Sequence, residues 1–573
     1  MIKGPQASLC IFLIFATCNT VNASNPPQEQ QQLKPVSSTQ EVPGSTAGAS
    51  TDVTKAWWLQ YAAQSLRPNA NSLPITLESA IVGALHNSSQ VKIFSELPLI
   101  RRTAIQEADA AFDWTAFLDS TWDDINEPVG STLTVGGNAT RFSDHNINLR
   151  GGIRRRTYTG GQLEITQQLG HQNTNSTFFI PNPQGTSRLT LGFTQPLLQG
   201  RGKTYNQSLI VLAQIDKAVA ETEFHRQLQS HLIEVSRAYW GLYLERGLYV
   251  QKFQSFERAK QIFDHLEARQ NVDVSQSQLI SARASMTERR ADLYRSSMAI
   301  KNAEARLRTL INDPSLGLDE SMELIPQDIP RTSGYNVSLP IAMADATQYR
   351  PEVAGAIKRV KAAGIRVGMT KHELMPILNL VTETYVSGLV SNDPGNAFSQ
   401  SFREGAPSYS IGLNFEIPLG GRAAKARHER QRLEHRQIQQ QYKTTLSTIR
   451  LEVEVAVREL STSLQEMSAK GEAVHAREAQ LSSLQRRWKA LPGEDVATSL
   501  ALENLLVAQE RLQEAEHEYL RSIMTHNLAT ITLKQARGTL LQEENISVSE
   551  YCQSCLPTRS ASKVSTLPLG THN

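Results

Sequence analysis

The sequence predicts a mainly α fold with a membrane-type β region: four β-strands per chain, joined to two long antiparallel coiled-coil hairpins, in a twofold internal repeat. Three observations carry this prediction. First, Leu191-Gly192-Phe193-Thr194-Gln195-Pro196-Leu197 and Leu413-Asn414-Phe415-Glu416-Ile417-Pro418-Leu419 share one L-x-F-x-x-P-L pattern, with Gly200-Arg201 and Gly421-Arg422 soon after. Apolar residues alternate before each proline (Leu189, Leu191, Phe193; Ile411, Leu413, Phe415, Ile417), the period-2 mark of a strand with one apolar face. Second, the period turns helical after each proline. Leu228, Leu232, Val235, Tyr239 and Leu242 are spaced 4-3-4-3, and Tyr442, Leu446, Ile449, Val453, Ala456 and Leu460 keep 4-3-4-3-4, a coiled-coil heptad. Third, residues 277–286 align with residues 503–512, and Leu73-Pro74-Ile75 through Ala80 echoes Leu339-Pro340-Ile341 through Ala346.

Taken in order, residues 1–23 read as a secretory signal: Lys3, an apolar run over 9–16, and Val21-Asn22-Ala23 as a small-residue cleavage site. A second reading takes Phe15-Ala16-Thr17-Cys18 as a lipobox, which would leave Cys18 as a lipid-bearing N-terminus. Residues 24–54 are rich in Gln, Pro, Ser and Thr, lack apolar residues to bury, and are expected to be a disordered leader. The first repeat covers 55–325, with strands near 115–126 and 188–196 and a helical hairpin over 203–311. Between its strands, alternating pieces in a Gly/Asn/Thr/Arg-rich stretch (Ile147, Leu149; Leu163, Ile165) suggest an extra hairpin outside the membrane. The second repeat covers 326–540, with strands near 377–388 and 409–417 and a hairpin over 421–537. The hairpins break at Asn271-Val272-Asp273 and at Leu491-Pro492-Gly493-Glu494-Asp495, so the longer arms reach about 100 Å at about 1.5 Å per residue. Residues 541–573 read as a disordered tail, in which Cys552 and Cys555 suit a small local disulfide or nothing of consequence.

The chain has 573 residues and a formal net charge of +2, which argues against a nucleic-acid partner. No apolar run is long enough to span a membrane as a helix. Strands of nine to eleven residues do suit a tilted crossing of an outer membrane. Four strands cannot close a barrel, and open edges in lipid leave backbone groups unpaired, so closure must come from other chains. Catalytic patterns are missing. Gly200-Arg201-Gly202-Lys203-Thr204 lacks the early glycine of a phosphate loop, since Leu197 stands there, and reads as a flexible basic corner at a membrane interface. His428-Glu429 and His435 do not have zinc-protease spacing. No enzyme is expected.

From about residue 55 to 540 the chain resembles the TolC-type outer-membrane efflux channels. The resemblance is carried by the repeat, the strand–proline–helix junctions at Pro196 and Pro418, Arg350-Pro351-Glu352, and Leu505-Leu506-Val507-Ala508-Gln509-Glu510-Arg511-Leu512. It implies a homotrimer with a twelve-stranded barrel in outer-membrane lipid and a periplasmic α-barrel built from the hairpins. It also implies a passive exit duct of a tripartite efflux or type I secretion system, without cofactors. The partners would be a periplasmic adaptor and an inner-membrane pump of the RND, ABC or MFS type. In that family the hairpin tips close the tunnel and dock the adaptor; here they are Asn271 and Asp273, and Pro492, Gly493, Glu494 and Asp495, with Glu503 nearby. The chain departs from the family in having Asn504 and Val507 where members often carry aspartates. Asp273, Glu494, Asp495 and Glu503 either supply a ring of charge or are solvated acids at helix starts, where the dipole favours them. The rival readings are a periplasmic coiled-coil adaptor and a structural scaffold.

Overall fold

The computed structural model describes residues 56–67, 71–137, 139–316, 322–335, 337–490 and 496–546. The signal, Cys18, the leader, Pro492, Gly493, Glu494, Asp495 and the Cys552/Cys555 pair lie outside the described residues. The first half runs α1 (Trp57–Ala62), β1 (Asn71–Ile75), α2 (Leu77–Asn87), α3 (Ser89–Ala110), β2 (Thr115–Pro128), α4 (Thr132–Val135), β3 (Arg141–Arg156), β4 (Gln162–Thr174) and β5 (Gln184–Pro196). The hairpin α6 (Ser208–Ala268) and α7 (Gln276–Ile311) follows the short α5 (Lys203–Asn206). The second half repeats the plan: β6 (Met322–Pro326), α8 (Leu339–Tyr349), α9 (Pro351–His372), β7 (Ile377–Ser391), α10 (Pro394–Arg403), β8 (Ser408–Glu416), α11 (Arg422–Lys489), α12 (Val496–Arg537) and α13 (Leu540–Glu543).

Local chemistry sets the ends of these helices. Thr76 with Ser79, and Ser275 with Gln278, form capping boxes that start α2 and α7. Pro340 is the second residue of α8 and Pro351 the first of α9, in the opening turn where a missing N–H costs nothing. The 61 residues of α6 and 68 of α11 correspond to about 92 and 102 Å.

The heptad residues become the seams. Leu228, Phe224 and Leu232 of α6 pack with Ile81 and Leu85 of α2. Further along, Val235, Tyr239 and Leu242 meet Leu307 and Ile311 of α7 and Leu520 and Ile523 of α12. In the second hairpin Ile449, Val453, Ala456 and Leu460 close on Ala529, Leu533 and Ala536 of α12 and on Ala342 and Ala346 of α8. Each fully buried leucine there contributes about 2 kcal/mol of transfer free energy. Gly247 lets α6 approach α12, because a Cβ there would stand 2.5 Å from Leu520 Cδ2.

Beside these seams β1 pairs in parallel with β6, and a buried ion cluster fastens the pair to α6. Arg246, with no side-chain exposure, donates to Glu323 Oε1 at 2.6 Å and to the Ala62 carbonyl at 2.8 Å, and also to the Gln64 carbonyl. Glu323 in turn accepts from the Ser65 hydroxyl and the Leu66 N–H, and Glu304 accepts from Arg67 and the Leu324 N–H. Residues 541–546, expected to open the disordered tail, are ordered in part: Leu541 is buried against α2 and α6, and Lys534 pairs with Glu544 at 2.7 Å.

Among the described residues the second sheet has six strands in the order β2-β3-β4-β5-β7-β8, every neighbouring pair antiparallel. Strands stand where four were expected, at β2, β5, β7 and β8. The correction concerns the stretch between the first two. It forms the hairpin that its alternation suggests, but as a member of the sheet: β3 and β4 are inserted between β2 and β5 and paired along their length, Thr115↔Arg154 through Pro128↔Arg141 and Gln162↔Thr194 through Gln172↔Gln184. The physical reason is that its alternation continues the apolar face of its neighbours.

Candidate functional site

Register sorts the sheet into two chemically different faces. Leu118 lies beside Gly151, Leu149 beside Leu169, Ile165 beside Leu191, and Phe193 beside Thr382, which neighbours Ile411. That face carries Trp122, Ile147, Ile153, Leu189, Val386, Leu413 and Phe415, and much of it is exposed (Leu118 71%, Trp122 73%, Ile411 78%). An apolar surface of this extent has no place in water. The opposite face holds Asp119, Asn146, Asn148, Arg150, Gln168, Arg188 and Glu383. There Arg150 pairs with Glu164 at 2.8 Å and stands 5.8 Å from the Phe117 ring centroid, while Arg188 lies 3.7 Å over Tyr385 and 3.4 Å from Glu383. One face suits lipid, the other a water-filled lumen.

The junctions below the sheet show what the prolines do. Pro196 ends β5 opposite Asn379, after which the Leu197 N–H donates to the Leu378 carbonyl at 2.7 Å. The chain then turns through Gly200 and Gly202, at φ +82° and +95°, into α5 and α6. After Pro418 the same device recurs, with Gly420 and Gly421 at φ +90° and +55° ahead of α11. Such values exclude most side chains, which explains a glycine pair at both places. At the first junction Asn206 donates to the Gly200 and Gly202 carbonyls, and Arg156 at the end of β3 donates to Asn206 Oδ1. The basic corner around Arg201 and Lys203 is exposed, as a turn at an interface would be.

At the far end, the first hairpin tip is the turn after α6. Asn271 is exposed and Val272 is 79% exposed. Asp273 is ion-paired with Arg269, one turn back, so its charge is compensated within the tip. The second tip's turn lies outside the described residues, but Glu503 on α12 is exposed, as are Asn504 and Val507. Gln278 donates to Ser499 Oγ at 3.0 Å, tying the start of α7 to α12. A cavity of about 530 Å³ opens between the hairpin ends, lined by Arg258, His265, Arg269, Gln278, Trp488 and Lys489. Sequence reasoning missed this basic, aromatic cavity, because its residues come from both hairpins. It also missed Glu516, which accepts from Trp57 Nε1 at 3.1 Å; burial pushes its carboxyl up to about 7. Beside it, burial with Lys252 and Arg521 brings His517 down to about 4.

The comparisons with known proteins agree with this geometry. Residues 342–532 match the family described as outer membrane efflux protein. VceC of Vibrio cholerae is 17% identical with a TM-score of 0.58, over 81% of this chain and 96% of that one. CmeC of Campylobacter jejuni is 13% identical with a TM-score of 0.60, over 83% and 90%. The open state of Neisseria gonorrhoeae MtrE is 16% identical with a TM-score of 0.55, over 81% and 89%. No curated protein matches the chain in sequence. The second half thus carries an outer membrane efflux protein domain, and the chain has the fold of the outer-membrane efflux channels.

Proposed function

We propose that this protein is the outer-membrane exit duct of a tripartite efflux or type I secretion system, working as a homotrimer. The observation that carries the proposal is the sheet with one apolar and one polar face, two open edges, and direct continuation through Pro196 and Pro418 into long helical hairpins. An open edge in lipid costs several kcal/mol for each unpaired backbone group, so further copies must complete the wall. The hairpins then extend the lumen into the periplasm. There the tips, with Asn271, Asp273, Pro492, Gly493, Glu494, Asp495 and Glu503, would meet a periplasmic adaptor and an inner-membrane pump of the RND, ABC or MFS type. The duct is passive, and the pump supplies the free energy. An adaptor or scaffold has no use for the exposed apolar sheet face.

Membrane fractionation followed by mass measurement in detergent tests the reading. Recovery in the outer membrane with a mass of three chains supports it. A water-soluble chain, or a monomer in detergent, refutes it.

A further inference from the structure

We infer that the duct's transmembrane wall is built from eighteen strands, six from each of three copies, rather than from twelve. This rests on the trimeric channel proposed above. The β3–β4 hairpin is a full member of the wall, not an ornament on it. It is hydrogen-bonded on both sides, from Thr115↔Arg154 to Pro128↔Arg141 with β2 and from Gln162↔Thr194 to Gln172↔Gln184 with β5. Removing it from the wall would expose two new edges to lipid.

The turn joining β3 to β4 is also fixed to the base of the wall. The Gly202 N–H donates to the Thr159 carbonyl at 3.0 Å, and a Cβ on Gly160 would stand 2.4 Å from the Gly200 carbonyl oxygen. On the other side, Arg155 donates to the Phe112 carbonyl at 2.8 Å, and the Phe112 and Tyr158 rings are 4.6 Å apart. The link from α3 to β2 therefore runs against this turn, spanning the width that the hairpin adds. The hairpin's faces agree with those of the wall: Ile147, Leu149, Ile165 and Leu169 on the apolar side, Asn146 and Gln168 on the polar side.

Closure follows from direction. The order β2-β3-β4-β5-β7-β8 alternates throughout, so the two outer strands run in opposite senses. Both are exposed along nearly their whole length. The free edge of β8 in one copy can therefore pair antiparallel with the free edge of β2 in the next, and three such seams close the ring.

The size difference is measurable. Strands about 4.8 Å apart, tilted by about 40°, give a backbone radius of about 18 Å for eighteen strands and about 12 Å for twelve. The lumen cross-section then differs by about 2.2-fold, and walls of this strand number leave an aqueous channel. The cargo class implied is bulky and hydrated, passing Asp119, Arg150, Arg188 and Glu383.

The test labels one outward residue in the middle of the sheet, Leu191→Cys, with Cys10, Cys18, Cys552 and Cys555 replaced by Ser, and measures label-to-label distance by pulsed electron resonance in the detergent-solubilised full chain. Mass is measured on the same sample. Backbone separations around the threefold axis are about 31 Å for eighteen strands and about 21 Å for twelve, to which the label arm adds equally. A trimer at the longer distance supports the proposal. A trimer at the shorter distance overturns it and leaves the channel reading standing, whereas a monomeric mass overturns the channel reading itself. A second protein, with residues 129–184 replaced by Asn-Gly so that β2 can pair with β5 with Trp122 and Leu191 on one face, should shorten the distance by about 10 Å if it assembles. An assembled deletion at the full-chain distance also overturns the proposal. If the deletion does not assemble, the full-chain distance still decides.

Discussion

Replacing Arg246 by Met removes the centre of the buried cluster that holds β1, β6 and the chain after α1 against α6. The arginine has no side-chain exposure, and neither has its partner Glu323. Its loss strands a carboxylate away from water, with the Leu66 and Arg67 N–H groups and the Ser65 hydroxyl as its neutral donors, and leaves the Ala62 and Gln64 carbonyls without their donor. Breaking a buried pair by removing one partner costs about 3–5 kcal/mol, and an orphaned buried carbonyl about 1–3 kcal/mol more. Arg246→Met should therefore destabilise the protein by at least about 3 kcal/mol. The double replacement Arg246→Met with Glu323→Met should recover most of that, because it removes both charges from the apolar setting. Helical circular dichroism during chemical denaturation of the detergent-solubilised protein reads both effects. If the single variant unfolds at the wild-type midpoint, the cluster is reached by water and the reasoning fails. If the double variant is as weak as the single, the loss comes from packing rather than from an unpaired charge.

Three further outcomes are expected. The Glu516 carboxyl is raised from 4.5 to about 7, so the fold favours its neutral form; that stability is complete below about pH 4.5 and disappears as pH rises through 7. Glu516→Gln should therefore flatten the pH dependence of the unfolding midpoint between pH 5 and 8, with a gain on the order of 3 kcal/mol at pH 8; equal slopes would count against a buried carboxyl. Gly388→Leu should push α10 off the sheet, since a Cβ there would stand 2.0 Å from the Ala397 carbonyl oxygen, and faster tryptic cleavage after Arg403 in intact membranes would register it; an unchanged rate would place the helix elsewhere. At the tip, Arg269→Ala should free the Asp273 charge and raise cation preference in bilayer recordings, while Asp273→Ala frees the Arg269 charge and should lower it; identical selectivity in the two variants would mean that this pair does not face the ion path.

The parts legible in the sequence were those governed by period. Heptads over 228–242 and 442–460 place apolar side chains on one seam whatever the tertiary setting, and those residues are buried or half-buried in the fold. The junctions were legible because a proline at the end of an alternating run ends the ladder, and a helical period begins within a few residues. The β3–β4 hairpin was only half visible. Its apolar residues alternate, but Gly151-Gly152 and a polar face of Asn, Gln and Arg hide its membership of the sheet, which only pairing with two neighbours establishes. The Arg246–Glu323 pair had no signal, since helical and extended periods say nothing of partners from different elements. The helix α10 did leave one. Asp393 before Pro394 is a cap residue ahead of a first-turn proline, and its carboxylate accepts from the Gly395 and Asn396 N–H groups.

That small helix also shows how the two halves diverged within one plan. In the first half the connection above the sheet grew into two extra strands. In the second half it stayed short and became α10, while β8 stopped opposite Tyr385, leaving the upper part of β7 without a partner on that side. The gap lies where the apolar face is made of small residues: Gly185, Ser187 and Gly388. A Cβ on Gly185 would meet the Asp393 backbone at 2.4 Å, so these residues form a bed into which α10 sits with Ala397 and Ser401 buried. Phe398 and Phe402 then stand on its outer side, 42% and 57% exposed with their rings edge to face at 5.1 Å. The helix thus returns to the wall the apolar surface that the glycines and serine had removed. An aromatic pair at the rim of a lipid-facing band sits where amphipathic helices lie in the interface. The short loop and the short strand are therefore one adaptation: β8 can end early because α10 covers the face beside it.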